Sequence, residues 1–337
     1  MSNRLSVMQV LTAMVIVAWV MPAAGQAPAP RTEAKKPAGA KAWTLPRTPW
    51  GHPDLQGLWN NGTPTPLERP ENLSGQEFLS EKQWTDTAEE VATRAERRPA
   101  NAAADVALAY NNEWYDRGSP LKRTSLIVDP SNGKLPPLTP EGQRRAAASA
   151  AERARRSPAD SWEDRSLQER CILYHAVPPF PTGYNNNYHI AQTPDYVAIR
   201  YEMLAEIRII PLDGRPHLGP NLRQWMGNSR GRWEGNSLVV ETTDFSDKTT
   251  FRFPSSDALR VVERFTRTAD GTIDYQFTVH DPATYTKPWT AVLPLANSDG
   301  PIYEYACHEG NHGMTNLLIG HRAEEKAAAE AAKKSSR

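Results

Sequence analysis

The feature that most constrains the fold is a series of short apolar segments separated by two-residue turns between Tyr184 and Cys307. In segments such as Tyr196–Met203, apolar and polar side chains alternate with a period of two, which is typical of strands with one buried face. No helical pattern interrupts the series. The sequence therefore predicts a mainly β fold, an antiparallel meander that closes into a barrel or a curved sheet. The pairs that favour tight turns are Pro194-Asp195, Asp213-Gly214, Gly235-Asn236, Asp270-Gly271 and Asp299-Gly300.

The first residues of the chain predict an export signal that covers residues 1–25. Arg4 supplies a positive charge, Val7–Met21 is an apolar run, and Ala23 and Gly25 have the spacing that a signal peptidase prefers. The alternative is an uncleaved membrane anchor, for which this apolar run is short, since a span needs roughly 20 residues. We expect cleavage, and therefore a periplasmic or secreted protein.

Composition and capping signals divide the rest of the chain. Residues 26–48 are rich in Pro, Ala and Lys, which predicts a disordered linker. Residues 49–321 predict a single β-rich domain with a helical insert at about 80–170. Residues 322–337 predict a charged C-terminal helix or tail. Starts of helices are indicated by the capping residues Ser80, Thr139 and Ser161.

The net charge limits the classes of partner to expect, and the cysteine content bears on the disulfide. Lys plus Arg equal Asp plus Glu at 39 each, so the net charge gives no electrostatic reason to expect nucleic acid or an anionic membrane as a partner. In an exported chain the two cysteines, Cys171 and Cys307, favour a disulfide over two free thiols. The bond would close a loop of about 136 residues and stabilise the fold by about 4–5 kcal/mol in the chain-entropy model, provided that the geometry permits it.

Several longer phrases of the chain are distinctive as a set: PDLQGLWNN, RTSLIVDP, EDRSLQERCI, YNNNYHIAQTPDYV, RIIPLDGRPH, SRGRWEGNSLVVETTDF and EYACHEGNHG. Together they resemble a large group of secreted bacterial proteins, and the likeness covers about Pro49–His321. The resemblance implies export and one β-rich domain of similar length, and it assigns no catalytic residue. Separately, Gly57-Leu58-Trp59 is similar to the Gly-x-Trp of lipocalin-like barrels, in which the tryptophan plugs one end.

The segment from His308 to His312 matches the H-E-x-x-H pattern of zinc proteases. That chemistry needs a helix, which places both imidazoles one turn apart and lets the glutamate activate a metal-bound water. Gly310 and Gly313 each weaken a helix by roughly 1 kcal/mol, and the segment before them predicts a strand. The motif therefore has two interpretations, a metal site at His308 and His312 or a turn at the start of a helix, where Glu309 favours the positive helix end.

Polar residues near the ends of the central strands are the candidate active site. Glu202 and Arg208 stand on neighbouring predicted strands, and their structural interpretation is a cross-strand ion pair. The functional interpretation makes Glu202 or His189 a general base with a shifted pKa. Tyr188 or His308 would then donate a proton.

Another group of residues is predicted to bind the substrate. Arg208 or Arg215 would hold an anionic group, because a guanidinium pairs with a carboxylate through two hydrogen bonds. His217 stands in the same predicted loop as Arg215, and its imidazole is a further binding group. The remaining predicted substrate-binding residues are Asn187 and Trp225.

Three functional hypotheses follow from these residues. The sequence has no phosphate loop, nucleotide fingerprint or Gly-x-Ser-x-Gly elbow, so we predict no cofactor. The leading hypothesis is an exported lyase or isomerase that uses acid/base chemistry on an aromatic or oxygenated small molecule. The second is a periplasmic ligand-binding protein that uses the same cavity without catalysis. The third is a metal-dependent hydrolase at His308 and His312.

Overall fold

A computed structural model of the chain describes residues 43–96, 116, 118–157, 159–309 and 311–335. The predicted signal at residues 1–25 and most of the predicted linker lie outside the described residues. The linker's last residues, 43–48, are described. Thr48 is buried there and a β-bridge joins Arg47 to Pro53, so this end of the segment packs onto the folded chain.

Eleven strands form one antiparallel sheet, in the order β5-β4-β3-β1-β11-β9-β8-β7-β6. The short β10 pairs with β9 beside β11, and β2 pairs with β10. The end strands β5 and β6 lie side by side, so the sheet curls into a nearly closed barrel. The strands are β1 Gly57–Asn60, β2 Ile127–Asp129, β3 Asn187–Gln192, β4 Tyr196–Tyr201, β5 Ile207–Pro211, β6 Asn228–Glu234, β7 Ser237–Thr243, β8 Arg260–Ala269, β9 Thr272–His280, β10 Trp289–Val292 and β11 Leu295–Asn297.

The predicted hairpins explain most of this sheet. Gly235-Asn236 joins β6 to β7, and Gly235 has a φ of +60°, a left-handed conformation that favours glycine. Asp270-Gly271 joins β8 to β9. Along β4, Val197, Ile199 and Tyr201 are buried because alternate side chains point into the barrel. The predicted antiparallel barrel is confirmed.

One predicted hairpin is wrong. We expected strands at Trp289–Leu295 and Ile302–Cys307, on either side of Asp299-Gly300. The first is broken after Val292, because Pro294 has no N–H to donate to a ladder. Ile302–Cys307 contains no strand, and Tyr303 is 69% exposed there.

Three α-helices are present in the described part of the chain: α1 Glu81–Glu96, α2 Pro140–Arg155 and α3 His312–Ser335. The predicted capping at Ser80 and Thr139 is confirmed, since each hydroxyl accepts a hydrogen bond from the backbone N–H three residues later. Gly142 of α2 packs so closely that a Cβ there would lie 2.6 Å from the carbonyl oxygen of Thr284. No helix among the described residues is long and apolar enough to cross a membrane.

The predicted disulfide is confirmed. Cys171 and Cys307 are bonded, with Cα atoms 5.8 Å apart and a sequence separation of 136. Cys307 lies between β11 and α3 and not in a last strand, so the bond fastens the segment that leads into α3 to the end of the helical insert.

The two ends of the barrel are closed by different side chains. Trp59 is buried, its indole N–H donates to the Leu55 carbonyl at 2.9 Å, and the guanidinium of Arg267 lies 5.4 Å from its ring centroid. Aromatic rings fill the space near the other end, including Phe180, Phe253, Phe277, Tyr285 and Trp289. A nearly closed antiparallel barrel with a buried Trp59 is compatible with the lipocalin-like resemblance.

Candidate functional site

The centre of the barrel is filled. The internal gap lined by Tyr188, Tyr201 and Tyr275 has a volume of about 10 Å³, which is space for no more than one water molecule. The open ligand cavity that the sequence suggested inside the barrel is therefore not present among the described residues.

A buried ion pair occupies the middle of the barrel. Arg208 of β5 donates to both carboxylate oxygens of Glu263 on β8, at 3.0 and 2.5 Å. Ser229 and Thr242 accept two further hydrogen bonds from the guanidinium, and the Tyr275 hydroxyl donates to Glu263. Burial is the largest single effect and would lower the pKa of Arg208, but the charge and hydrogen bond of Glu263 together with neighbouring Tyr201 and Tyr275 outweigh burial, and the pKa is raised.

The predicted Glu202–Arg208 pair is wrong because the two side chains point to different sides of the sheet. Arg208 points inward. The Glu202 carboxylate accepts instead from the amide of Asn187 at 2.8 Å. The Oδ1 atom of Asn187 also accepts hydrogen bonds from Asn60 at 3.0 Å and Ser298 at 2.9 Å. The predicted residues Asn187 and Glu202 thus belong to a hydrogen-bonded network outside the barrel.

The alternation of β3 separates two other candidates. Tyr188 is buried inside the barrel, whereas its neighbour His189 is exposed on the outer face. His308 is also exposed, and it lies in a bend outside any helix. The four predicted catalytic residues are therefore not brought together, and only Tyr188 points into the barrel.

The predicted binding residues near β6 are dispersed as well. Arg215 is exposed and pairs with Asp213 of the same turn. The His217 imidazole lies 3.4 Å from the Glu241 carboxylate on the outer wall. Trp225 is half-buried, and its carbonyl accepts from Thr249.

The H-E-x-x-H segment does not have the geometry that zinc proteases require. His308 precedes the helix and His312 is its first residue, so the two imidazoles do not share one helical face. Among the described residues, no three His, Cys, Asp or Glu side chains come together as a possible metal site.

A cluster that the sequence analysis missed lies at the aromatic end of the barrel. His175 is 3% exposed, its ring stacks on Tyr201 with centroids 5.4 Å apart, and Tyr188 lies 6.1 Å away. Among the described residues, neither imidazole nitrogen makes a hydrogen bond, and the Tyr188 hydroxyl and the buried amide of Asn61 have no partner other than each other. Buried polar groups are usually satisfied, so this concentration of unsatisfied atoms makes the cluster the leading candidate for a functional site.

Glu206 orients His175. One of its carboxylate oxygens accepts from the backbone N–H of Tyr174 at 2.5 Å, and the other lies 3.6 Å from the His175 Nδ1. The turn that presents Glu206 contains Leu204 and Ala205 with φ of +56° and +50°. Left-handed backbone is unfavourable for such residues, and strain of this kind is concentrated at functional sites.

The protonation state of Tyr188 follows from its surroundings. Burial raises the pKa of Tyr188 well above the usual value, and neighbouring Tyr201 raises it further. Asn61 and Arg252 offset part of this rise. The phenol therefore stays protonated at neutral pH and can act as a hydrogen-bond donor.

His175 stands between the internal gap and a small outer cleft. Tyr174, Phe180, Phe251 and Arg252 line this cleft together with His175. Arg252 donates to the Pro181 carbonyl at 3.0 Å, and its guanidinium lies 5.8 Å from the Phe180 ring centroid. A positive charge is thus fixed at the opening of the cluster.

A separate open cleft of about 500 Å³ lies on the outer wall, beside His280 and Arg260. Burial lowers the pKa of His280, and the charge of Arg260 lowers it further. Arg260 itself donates to Glu241 at 2.8 Å. Because its charged groups already have partners or face water, this cleft is a weaker candidate than the cluster around His175.

The sequence contained one signal for His175. It is a single histidine in the apolar segment Leu173–Val177, just after Cys171 and before Pro178-Pro179. The prolines indicate a break between elements, which does not predict where the neighbouring side chains point. In the structure this segment folds across the barrel end.

Comparisons of this chain with protein-family models, with characterised proteins and with solved structures found no match.

Proposed function

We propose that this protein is an exported, cofactor-independent acid/base enzyme, a lyase or isomerase that acts on a small oxygenated or aromatic molecule. The observation that carries the proposal is the convergence of His175, Tyr188 and Asn61, all buried, whose polar side-chain atoms have no described hydrogen-bond partner outside this group. A substrate oxygen in their midst would supply the missing hydrogen bonds. The Cys171–Cys307 disulfide supports the proposed export, since such bonds persist in oxidising compartments.

The chemistry assigns one role to each side chain. With a proton on Nδ1 towards Glu206, the His175 Nε2 has a free lone pair and removes a proton from a carbon next to a carbonyl. The electron pair of the broken C–H bond forms a carbon–carbon double bond, and the π pair of the carbonyl moves to its oxygen. The Tyr188 hydroxyl and Asn61 amide stabilise the resulting negative charge through hydrogen bonds. If the proton returns at another carbon, the reaction is an isomerisation. If a leaving group departs from the adjacent carbon with its bonding electrons, the reaction is an elimination, as catalysed by a lyase.

Access to the cluster requires a movement of the chain. The internal gap and the outer cleft are both small. His175 lines the cleft, and its ring contacts Tyr188 and Tyr201, which line the gap. In the proposed enzyme the segment 174–181, which covers the barrel end, shifts when the substrate binds. Closure of this segment would then exclude water, as loops over active sites commonly do.

The proposal is tested by deuterium exchange, which does not depend on knowing the final product. The purified protein is incubated in D₂O with a panel of ketones, aldehydes and 2-oxo acids, and mass spectrometry detects deuterium at carbon. We expect exchange into at least one class of compound. H175Q should lower its rate by at least about 100-fold, the usual contribution of a general base, and Y188F should lower it while preserving the packing of the ring.

The variant H189Q distinguishes the two candidate histidines. If H189Q abolishes exchange and H175Q does not, the base lies on the outer face of β3 and the proposed site is wrong. Binding of a panel compound without exchange or product would instead establish a ligand-binding protein and contradict the proposed catalysis. Circular dichroism and urea unfolding of each variant verify that it folds.

A further inference from the structure

A groove of about 700 Å³ runs between α2 and the segment 247–255. Its volume lies within the range of about 300–1,000 Å³ that is typical of small-molecule sites. Thr250, Phe251 and Arg252 line both this groove and the small cleft at His175. The groove and the cleft are therefore adjacent, and Arg252 stands on their common wall.

The charge of the groove is strongly one-sided. Arg145, Arg153, Lys248 and Arg252 line it, and Asp247 is the one acidic residue among its described lining residues. The whole chain carries equal numbers of basic and acidic residues, 39 of each. A surplus of positive charge in this groove is therefore a local feature and does not reflect the composition.

The partners of the arginines on α2 reinforce this difference. Outside the groove, Arg144 pairs with Glu141, and Arg155 pairs with Glu152 at 2.7 Å. Inside it, Arg153 donates to the Ser149 hydroxyl at 2.7 Å and forms no ion pair with any described carboxylate.

The other cations of the groove are also incompletely neutralised. Among the described residues, the Arg252 side chain donates to the Pro181 carbonyl and has no counter-ion. Arg145 shares Glu141 with Arg144 and donates to Thr284, but its buried Nε–H has no hydrogen-bond partner in the described part of the chain. These donors are available to a ligand, and charge-assisted hydrogen bonds to carboxylates are among the strongest in proteins.

We propose that the groove binds a small organic anion, whose acidic group is held by Arg153, Lys248 and Arg252 and whose apolar part packs on Phe251. As the substrate site it rests on the proposed function, because a ligand held at Arg252 then places its reacting carbon in the adjacent cleft, which His175 lines. The substrate class is therefore a carbonyl compound that also carries a carboxylate or a comparable anionic group. The proximity of Arg252 to Tyr188, whose pKa it lowers, is consistent with this arrangement.

Two related dyes test the anion site directly. 1-Anilinonaphthalene-8-sulfonate is an aromatic anion, and N-phenyl-1-naphthylamine has the same rings without the sulfonate. Fluorescence titration gives the Kd of each for the wild-type chain, for R153Q/K248Q and for the control R144Q/R155Q. The control removes the same amount of charge from α2 outside the groove.

We expect R153Q/K248Q to weaken binding of the sulfonate by at least about tenfold, since two charged contacts are lost. The Kd of the neutral dye and both Kd values of R144Q/R155Q should change by less than about twofold. Equal weakening of sulfonate binding in both double variants would overturn the proposal, because general attraction to positive charge would then explain the binding. Unchanged sulfonate binding in R153Q/K248Q would overturn it as well.

The variant H175Q separates this inference from the proposed function. It should leave sulfonate binding unchanged and abolish deuterium exchange of oxo acids. A specific anion site in a protein without exchange activity would refute the acid/base function alone. Exchange that is faster for neutral ketones than for oxo acids, and is insensitive to R153Q/K248Q, would refute the anionic substrate and leave the acid/base function intact.

Discussion

Replacement of Glu263 by glutamine tests how the ion pair inside the barrel contributes to stability. Glu263 is completely buried and receives hydrogen bonds from Arg208 and Tyr275. Glutamine keeps the shape of the side chain and removes its charge, so the buried guanidinium of Arg208 loses its counter-ion. Loss of one partner of a buried pair costs about 3–5 kcal/mol. We expect the lower end of this range for E263Q, because Ser229 and Thr242 still accept from Arg208.

The loss in free energy of unfolding is measured by urea unfolding of E263Q, R208M and the double variant. Because each single variant leaves a buried partner unsatisfied, the two losses should not add. We expect the double variant to lose about 2–3 kcal/mol less of its free energy of unfolding than the sum of the two single losses. The control E234Q removes a carboxylate that pairs with Arg264 at 2.7 Å on the exposed face, and it should cost less than about 1 kcal/mol. An E263Q midpoint equal to that of E234Q, or strictly additive losses, would refute this account of the pair.

Three further outcomes are expected. G142A should lower the Tm, because its Cβ would meet a backbone carbonyl oxygen at 2.6 Å, whereas G320A on α3, with no atom within 4 Å, should add up to about 1 kcal/mol; calorimetry that finds both stabilising would contradict the packing of α2. Replacing Cys171 and Cys307 by serine should remove about 4–5 kcal/mol from the free energy of unfolding, and dithiothreitol should affect the wild-type chain alone. Burial raises the pKa of Tyr201 to about 12, so the unfolded chain ionises first, near pH 10, and stability should fall between about pH 10 and 12. Urea unfolding across this range should show a shallower fall for Y201F, and an identical fall would exclude this tyrosine as a cause.

The barrel was predictable because short stretches of neighbouring residues specify its turns and strands. Turn pairs such as Gly235-Asn236 and the alternation in β4 each specify a few neighbouring residues, and antiparallel hairpins need little more. Where a local signal was weak, the prediction was wrong. The segment Ile302–Cys307 has the composition of a strand, but it finds no partner in the sheet.

The candidate site depends on contacts between distant parts of the chain. A period of two shows that Tyr188 and His189 point to opposite sides, but it does not identify the inner side. Glu263, the partner of Arg208, is 55 residues away and comes from the far wall of the barrel. His175 belongs to no strand or helix, so no periodicity could indicate where its side chain points.

The seam between β5 and β6 has a consequence for the solubility of the protein. No backbone ladder joins these two strands among the described residues, and the Arg208 side chain crosses the seam to Ser229 at 2.8 Å. An unpaired strand edge is a template on which another chain can add a strand. In the nearly closed barrel the two edges face each other, which restricts the approach of a strand from another chain. Arg208 therefore also opposes self-association. In a chain without Arg208, the edges of β5 and β6 would both be open to the addition of a strand from another chain.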